Sequence, residues 1–194
     1  MTGAAATAPN QMMLILGGAR SGKSDFAVEV AEAAESPVTL LATAIAGDAD
    51  MAARIRRHQE DRPASWGLVE EPRGVAGALA AIATEHLVIV DCLTIWAATR
   101  HFDGVPEREI VAEAVDIADV ARTRAAPVLM VSNEVGLGVH PETELGRHYR
   151  DLLGRVNRAV AELAGTSLLL VAGRAIPLAD PWDHVPAAWG RPQR

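Results

Sequence analysis

The segment from Gly17 to Ser24, Gly-Gly-Ala-Arg-Ser-Gly-Lys-Ser, has the residue types and spacing of a loop that binds the phosphates of a nucleoside triphosphate. Gly17, Gly22, Lys23 and Ser24 occupy the fixed positions of the pattern G-x-x-x-x-G-K-[ST]. The glycines let consecutive backbone N–H groups point at one phosphate, and the helix that follows adds its partial positive charge. We expect Lys23 to reach the β- and γ-phosphates and the Ser24 hydroxyl to hold Mg²⁺.

A second candidate for metal binding is Asp91, which follows the continuous apolar run from Leu87 to Val90. Such a run is typical of a buried parallel strand. A carboxylate at the end of this strand, downstream of the phosphate-binding loop, is the Walker B arrangement, so we expect Asp91 to lie beside the loop and hold Mg²⁺ directly or through water. The alternative is an aspartate that caps the next helix.

A basic segment carries the candidate nucleophile. Residues 51–61 are predicted to form a helix with Asp50 as its N-cap. Arg54 and His58 are four residues apart and share a face that Arg62 continues. Most charged helices are solvated surface helices; the alternative is a helix that faces an anion and carries a histidine near a nucleotide. Composition alone leaves both interpretations open.

The elements around these residues alternate between apolar runs and helical patterns, which predicts an α/β fold with a mostly parallel sheet and helices on both faces. Strands are expected at residues 12–16, 38–42, 66–72, 87–90, 128–131 and 166–172. Their carboxyl ends would bring Gly17, Thr43, Asp91 and Glu134 to one edge. We divide the chain into a disordered N-terminal extension (1–11), a phosphate-binding domain (12–175) and an irregular tail rich in Pro and Trp (176–194), with Trp182 and Trp189 as possible packing points.

Bulk properties narrow the class of partner. The net charge of −7 argues against nucleic acid as a partner. The single cysteine, Cys92, suits a reducing cytoplasm and is predicted to be a buried thiol. No apolar run approaches the length of a membrane span, and the N-terminus lacks the basic start of a signal peptide. We therefore expect a cytoplasmic protein.

The motifs together resemble the bifunctional adenosylcobinamide kinase/adenosylcobinamide-phosphate guanylyltransferase family of cobalamin synthesis. The loop GGARSGKS looks like the phosphate-binding loop of that family. Six further blocks agree with it: ATA at 42–44, M-x-x-R-x-x-x-H-x-x-x-R-P at 51–63, VEEP at 69–72, VDCLT at 90–94, SNEVGLG at 132–138 and GRVN at 154–157. The resemblance covers about residues 13–173 and leaves the tail outside.

The resemblance implies a P-loop NTPase-like, RecA-like fold and two reactions on one scaffold. In the first, ATP or GTP phosphorylates the aminopropanol hydroxyl of adenosylcobinamide. In the second, GMP from GTP is transferred to that phosphate, giving adenosylcobinamide-GDP and pyrophosphate. In the family the second step passes through a GMP-histidine, and the matching position is His58. The resemblance also implies a homo-oligomer, with trimers known in the family.

The resemblance carries functional positions over to this chain. Lys23 and His58 are the catalytic candidates, and Ser24 and Asp91 are the candidate metal ligands. Asp91 and Glu134 are both candidates for the base that deprotonates the cobinamide hydroxyl. The implied nucleotide-binding residues are Gly17, Gly18, Ala19, Arg20, Ser21, Gly22, Lys23, Ser24, Ala42, Thr43, Ala44, Gln59, Glu60, Asp61, Arg62, Glu70 and Asp91.

Two other functions remain compatible with the residues. A P-loop kinase or hydrolase acting on another small molecule would need Lys23 and Asp91 but not His58. A GTP-binding regulatory switch would show little turnover, and its moving part would be the glycine loop from Gly136 to Gly138. The acidic charge and the short chain argue against a RecA-like motor that works on DNA.

Overall fold

The structure is a computed structural model and describes residues 10–44, 63–186 and 189–190. The predicted helix at 51–61 lies outside the described residues. The strands within the described residues are β1 (Met12–Gly17), β2 (Val38–Ala42), β3 (Gly67–Glu70), β4 (Leu87–Asp91), β5 (Val128–Asn133), β6 (Thr166–Val171) and β7 (Arg174–Pro177). The described helices are α1 (Lys23–Glu32), α2 (Val75–Ala81), α3 (Leu93–Phe102), α4 (Glu107–Arg122) and α5 (Glu144–Ala161), followed by a 3₁₀ turn (Pro181–His184).

The strands form one sheet in the order β3-β2-β4-β5-β1-β6-β7. Every neighbouring pair is parallel except β6 and β7, which are antiparallel. The register aligns the carboxyl ends of the parallel strands: Gly17 is opposite Asn133, and Ala42 lies between Asp91 and Glu70. The predicted mostly parallel α/β sheet is therefore confirmed, and polar residues meet at its carboxyl edge.

Helices cover both faces of the sheet, as predicted. Successive residues of β1 point to opposite faces, so Leu14 packs in the cluster of α2–α5 with Trp96 and Ile110, whereas Ile15 packs in the cluster of α1 with Ala27. All five of these side chains are fully buried. Burial on both faces explains why these strands are continuous apolar runs in the sequence.

The sequence predicts an irregular tail, but the segment after Gly173 is partly regular. Arg174–Pro177 forms β7, which extends the sheet and crosses the boundary drawn at residue 175. Ala172 and Gly173 both have positive φ angles, of 51° and 71°, and such a two-residue turn matches the twist of a β-hairpin. Trp189 is 77 % exposed, so the expectation that it packs the tail is wrong. The division into extension, domain and tail otherwise stays a prediction.

Residues 1–9 of the predicted extension lie outside the described residues, but its last two residues are attached to the domain. The Asn10 side-chain amide donates to the Leu163 carbonyl at 2.8 Å. The Gln11 side-chain amide donates to the Ala125 carbonyl at 3.1 Å. Among the helices that the structure describes, none is long and apolar enough to cross a membrane.

Candidate functional site

The turn from β1 into α1 requires glycine at its first and last positions. Gly17 has a φ angle of 156°, and a Cβ there would lie 2.5 Å from the Leu170 carbonyl oxygen. Gly22 adopts the left-handed conformation, with φ 94°, and is the N-cap residue of α1. Within the described residues, no side chain caps this helix end. Its N–H groups therefore remain directed at the loop, which is the arrangement that binds an anion.

The side chain of Lys23 lies over the phosphate-binding loop. It is 8 % exposed. Its Nζ donates to the Gly18 carbonyl at 2.7 Å and lies 3.5 Å from the Ser21 Oγ. The tip of the loop, residues 18–20, is exposed. The buried ammonium is thus bonded to the first residue of this exposed tip, and its positive charge lies where the β- and γ-phosphates of a nucleotide would sit.

The hairpin turn between β6 and β7 supports this loop, which the sequence analysis did not foresee. The Gly173 N–H donates to the Ser21 carbonyl at 3.0 Å. A Cβ on Gly22 would lie 3.5 Å from the Gly173 Cα, so the two segments pack closely. The Ala-Gly pair at 172–173 is not one of the dipeptides that predict a hairpin, so the sequence carried no strong signal for this turn.

Thr43 holds the backbone around Asp91. The Thr43 N–H donates to the Asp91 carbonyl at 3.0 Å. The Thr43 Oγ1 donates to the Cys92 carbonyl at 2.7 Å and accepts from the Cys92 N–H at 2.9 Å. Thr43 is fully buried, so its hydroxyl is occupied by these bonds. Thr43 is one of the implied nucleotide-binding residues, and its side chain positions the end of β4.

Ser24, in the first turn of α1, and Asp91, at the end of β4, line the same cavity of about 320 Å³. The β5 strand lies between β1 and β4, which separates the two strand ends by about 10 Å. The cavity brings both side chains to a shared space, together with Trp66 and Val131. Asp91 thus faces the phosphate-binding loop across β5 instead of directly adjoining it.

The residue after β5 is joined to the start of the phosphate-binding loop. The Glu134 N–H donates to the Gly17 carbonyl at 3.0 Å. The Glu134 Oε1 accepts a hydrogen bond from the Gly136 N–H at 2.6 Å. The carboxylate is half-buried. It is therefore held close to the loop that would carry the triphosphate.

A buried polar network fixes the end of β5 from the other side. The Ser132 Oγ donates to the Asn157 Oδ1 at 2.6 Å, and the Asn157 Nδ2 donates to the Asn133 carbonyl at 2.9 Å. The Thr94 Oγ1 accepts from the Asn133 N–H at 2.7 Å. The Tyr149 hydroxyl donates to the Thr94 carbonyl at 2.8 Å, and burial raises the pKa of that phenol. Three of the blocks that resemble the family, at 90–94, 132–138 and 154–157, therefore meet in this network although they are far apart in the sequence.

The Cys92 thiol is suited to packing rather than to chemistry. Burial, with a smaller contribution from the charge of Asp91, raises its pKa to about 11. Thr94 and Ile95 partly offset this rise through hydrogen bonds. A thiol with this pKa is protonated at neutral pH and is a poor nucleophile. The residue as a whole is half-buried, so the prediction of a buried thiol agrees only in part with the structure.

Several residues of the implied site are not brought together by the described part of the chain. His58, Gln59, Glu60, Asp61 and Arg62 lie outside the described residues. Glu70 is exposed at the end of β3, four strand positions and about 19 Å from β1. It shares the carboxyl edge with the phosphate-binding loop but lies too far from it to contact the same phosphate.

Comparisons with known proteins agree with this geometry. The profile of the family described as cobinamide kinase / cobinamide phosphate guanyltransferase matches residues 13–178. The bifunctional adenosylcobalamin biosynthesis protein CobP of Pseudomonas aeruginosa is 40 % identical over 166 residues, covering 85 % of this chain and 95 % of that protein. The bifunctional adenosylcobalamin biosynthesis protein CobU of Escherichia coli is 35 % identical over 180 residues, covering 86 % of this chain and 99 % of that protein.

Solved structures with a similar fold are P-loop ATPases. The assembled ATPase EscN of the enteropathogenic E. coli type III secretion system superposes with a TM-score of 0.55 at 12 % identity, covering 84 % of this chain and 43 % of that one. A prototypical type III secretion ATPase gives a TM-score of 0.52 at 13 % identity, covering 84 % and 51 %. At these identities the likeness shows the fold alone, and it confirms the predicted P-loop, RecA-like architecture.

Proposed function

The chain belongs to the cobinamide kinase / cobinamide phosphate guanyltransferase family, and from that premise we propose how its residues carry out the two reactions. In the kinase step the aminopropanol hydroxyl oxygen of adenosylcobinamide attacks the γ-phosphorus of ATP or GTP. The bond from that phosphorus to the bridging oxygen breaks, the nucleoside diphosphate leaves, and the hydroxyl proton passes to a base. In the second step GMP is transferred from GTP to the new phosphate, and pyrophosphate leaves.

The observation that supports the kinase step most directly is the position of Lys23. Its buried ammonium, 2.7 Å from the Gly18 carbonyl, can turn to the β- and γ-phosphates once they occupy the exposed tip of the loop. Charge developing on the oxygens in the transition state is then met by a preorganised cation and by backbone N–H groups. Removing that ammonium is expected to stop both reactions, because both need the triphosphate held.

Glu134 is the better placed of the two candidate bases. Its N–H is bonded to the Gly17 carbonyl, which holds its main chain beside the phosphate-binding loop, and its carboxylate accepts a hydrogen bond from the Gly136 N–H. Asp91 stands across β5 and shares its cavity with the Ser24 hydroxyl, which suits a metal ligand. We assign the proton transfer to Glu134 and the metal to Ser24 and Asp91.

The donors in that cavity fit Mg²⁺. The two that we assign are the Ser24 hydroxyl and the Asp91 carboxylate, both hard oxygen ligands, and Asp25, Glu29 and Glu32 line the same cavity. Mg²⁺ usually binds one or two such groups while keeping waters and phosphate oxygens. Within residues 10–44, 63–186 and 189–190 no group of three or more His, Cys, Asp or Glu could hold a metal, which agrees with a site completed by the nucleotide. When bound, Mg²⁺ would neutralise charge on the phosphate oxygens.

The guanylyl transfer is assigned to His58, which lies outside the described residues. A neutral imidazole nitrogen is a competent nucleophile near neutral pH. It attacks the α-phosphorus of GTP, the bond to the pyrophosphate breaks, and a GMP-histidine forms. A phosphate oxygen of adenosylcobinamide phosphate then attacks the same phosphorus and releases the histidine. Arg54 and Arg62, four residues before and four residues after His58 in the sequence, would hold phosphate oxygens.

We place this chemistry in the cytoplasm, because a lone protonated thiol suits a reducing compartment. We also propose a homo-oligomer, as in the trimers of the family.

Product analysis tests the proposed function. The purified chain is incubated with adenosylcobinamide, Mg²⁺ and ATP, and GTP is added in a second stage. We expect adenosylcobinamide phosphate in the first stage and adenosylcobinamide-GDP with pyrophosphate in the second, and neither product with Lys23→Ala. Nucleotide hydrolysis without any change to the corrinoid would contradict the proposal and favour the small-molecule kinase or switch.

A further inference from the structure

The loop between β5 and α5 exposes apolar side chains. Leu137 is 79 % exposed and Val139 is 95 % exposed. Leu145, in the first turn of α5, is 51 % exposed. Single exposed apolar residues are ordinary on a protein surface, but Leu137 and Val139, two residues apart and almost fully exposed, are a candidate for a ligand-binding surface. Leu137 and Val139 are called the apolar loop below.

The apolar loop begins three residues after Glu134, which is bonded to the phosphate-binding loop. Glu134, at its base, is bonded through its N–H to the Gly17 carbonyl. Leu137 is three residues further on, so the Cα atoms of Glu134 and Leu137 are at most about 11 Å apart. A large ligand resting on Leu137 can therefore extend an arm to the γ-phosphate.

The rest of the segment is held by side chains of α5. The Arg147 guanidinium donates to the carbonyls of Pro141, at 3.1 Å, and Glu142, at 2.7 Å. The Arg150 guanidinium lies 2.9 Å from the His140 Nδ1. These bonds fix the segment after Val139 and so present the apolar loop in a defined position.

We propose that the apolar loop receives the corrin macrocycle of the acceptor. This inference rests on the proposed function, because it takes adenosylcobinamide as the acceptor. A corrin macrocycle has a broad face edged with methyl groups, which apolar side chains match, and amide arms, which the exposed backbone of Gly138 can bond. Leu137 and Val139 carry no positive charge that could bind the polyanionic triphosphate, which is held by the P-loop instead.

Glu134 then lies between the two ligands. With the macrocycle on Leu137 and Val139 and the triphosphate on the P-loop, the aminopropanol arm reaches the carboxylate that is to take its proton. The apolar loop thus sets which acceptor is used, while the P-loop is indifferent to it. The consequence is a separation of kinetic effects: changes in the loop alter the use of the corrinoid and leave the nucleotide reactions intact.

The test is the double variant Leu137→Ser/Val139→Ser, with Ile176→Ser as the matched control. Ile176 is 52 % exposed on β7, outside the site. Three quantities are measured: the KM for adenosylcobinamide in the kinase reaction, the KM for ATP, and GMP loading from GTP without corrinoid. We expect the corrinoid KM to rise roughly tenfold or more in the double variant, because apolar contact is lost. ATP KM and GMP loading stay as in the wild type, and the control changes none of the three.

Three results would overturn the inference. An unchanged corrinoid KM in the double variant removes the loop from the acceptor site. An unchanged KM with a shift in mass by sedimentation identifies the loop as a contact between copies of the chain. A wild type that loads GMP but phosphorylates no corrinoid refutes the proposed function itself, and the inference falls with it. That failure is distinct, because it appears before any variant is made.

Discussion

The hydroxyl of Thr43 joins β2 to β4 through two hydrogen bonds with the backbone of Cys92, accepting from its N–H at 2.9 Å and donating to its carbonyl at 2.7 Å. Because Cys92 follows Asp91, these bonds hold the main chain next to the carboxylate that we assign to Mg²⁺. Thr43 thus acts on the site through its neighbour, and this role predicts a specific pair of effects.

Replacing Thr43 by valine keeps the volume and removes the hydroxyl. We expect Thr43→Val to lose about 2 kcal/mol of unfolding free energy, since two backbone groups of Cys92 lose their partner. We also expect the kinase to need more Mg²⁺ for half its maximal rate. Thr43→Ser, which keeps the hydroxyl, is the control and should retain the Mg²⁺ dependence of the wild type. Urea unfolding and a Mg²⁺ titration measure the two effects; identical curves for Val and Ser would refute this role.

Gly17 is expected to tolerate no side chain. In Gly17→Ala the new Cβ would lie 2.5 Å from the Leu170 carbonyl oxygen, and that backbone cannot move without disturbing β6. We expect at least about 2 kcal/mol of destabilisation and loss of nucleotide binding. Gly77→Ala is the matched control, because nothing lies within 4 Å of its added Cβ.

In the control, alanine at the exposed position 77 in the middle of α2 should stabilise the chain by up to about 1 kcal/mol through its better helix propensity. Thermal unfolding measures the stability of both variants, and titration with a fluorescent GTP analogue measures their nucleotide binding. A Gly17→Ala protein that still binds the analogue normally would show that the loop has room that the structure does not predict.

Arg124 is a buried cation that stabilises the end of α2. Its guanidinium donates to the carbonyls of Leu79, Ile82, Ala83 and His86, at 2.6–3.2 Å. Burial lowers its pKa. It carries the positive charge at a helix C-terminus, where the dipole favours a cation. We therefore expect Arg124→Met to destabilise the fold by about 3 kcal/mol, chiefly by leaving these carbonyls without a partner.

The control for that variant lies two residues earlier. Arg122 is exposed and pairs with Asp119, so Arg122→Met should cost less than about 1 kcal/mol. Chemical denaturation separates the two variants. Equal midpoints for Arg122→Met and Arg124→Met would mean that the buried guanidinium contributes no more than a surface pair.

The Cys92 thiol should make stability depend on pH in the alkaline range. Its pKa is raised to about 11 in the folded chain, so the unfolded chain releases this proton first as the pH rises. The thiol therefore makes its full contribution to the free energy of unfolding below the pKa of a free thiol, near 8.5. This contribution is lost as the pH rises toward 11. Cys92→Ala should lack this part of the alkaline decline.

The same pKa predicts slow alkylation. At pH 8 we expect iodoacetamide to modify the folded chain more than about tenfold slower than a free cysteine, because little thiolate is present. Intact mass against time measures the rate. Modification as fast as that of a model thiol would show that the thiol is neither buried nor neutral.

Much of the fold follows from patterns along the chain. The run Val38–Ala42 was predicted with the bounds that the structure gives, and β4 differs only by including Asp91. These strands are buried on both faces and are therefore almost wholly apolar; the one polar side chain in β2, Thr39, is paired with His86. The glycine pattern at Gly17–Ser24 also predicts the phosphate-binding loop correctly, because the backbone angles at Gly17 and Gly22 exclude most other residues.

Features that depend on distant contacts could not be predicted in this way. The insertion of β5 between β1 and β4 is a choice of pairing between segments far apart in the chain. The β7 strand depends on a left-handed Ala172, a conformation that alanine rarely adopts, so the hairpin gave no turn signal of its own. Thr43 is a predicted nucleotide-binding position, and the two hydrogen bonds between its hydroxyl and the backbone of Cys92 become visible only in the folded chain.

The measurement that tests the central claim most directly is the intact mass of the chain after incubation with GTP and Mg²⁺, for the wild type and for His58→Ala. The account predicts an acid-labile increase of one GMP unit on the wild type and none on the variant, which should keep kinase activity because Lys23 is untouched. An adduct on both proteins would place the nucleophile elsewhere. No adduct on a wild type that demonstrably binds GTP would contradict the guanylyl transfer through His58.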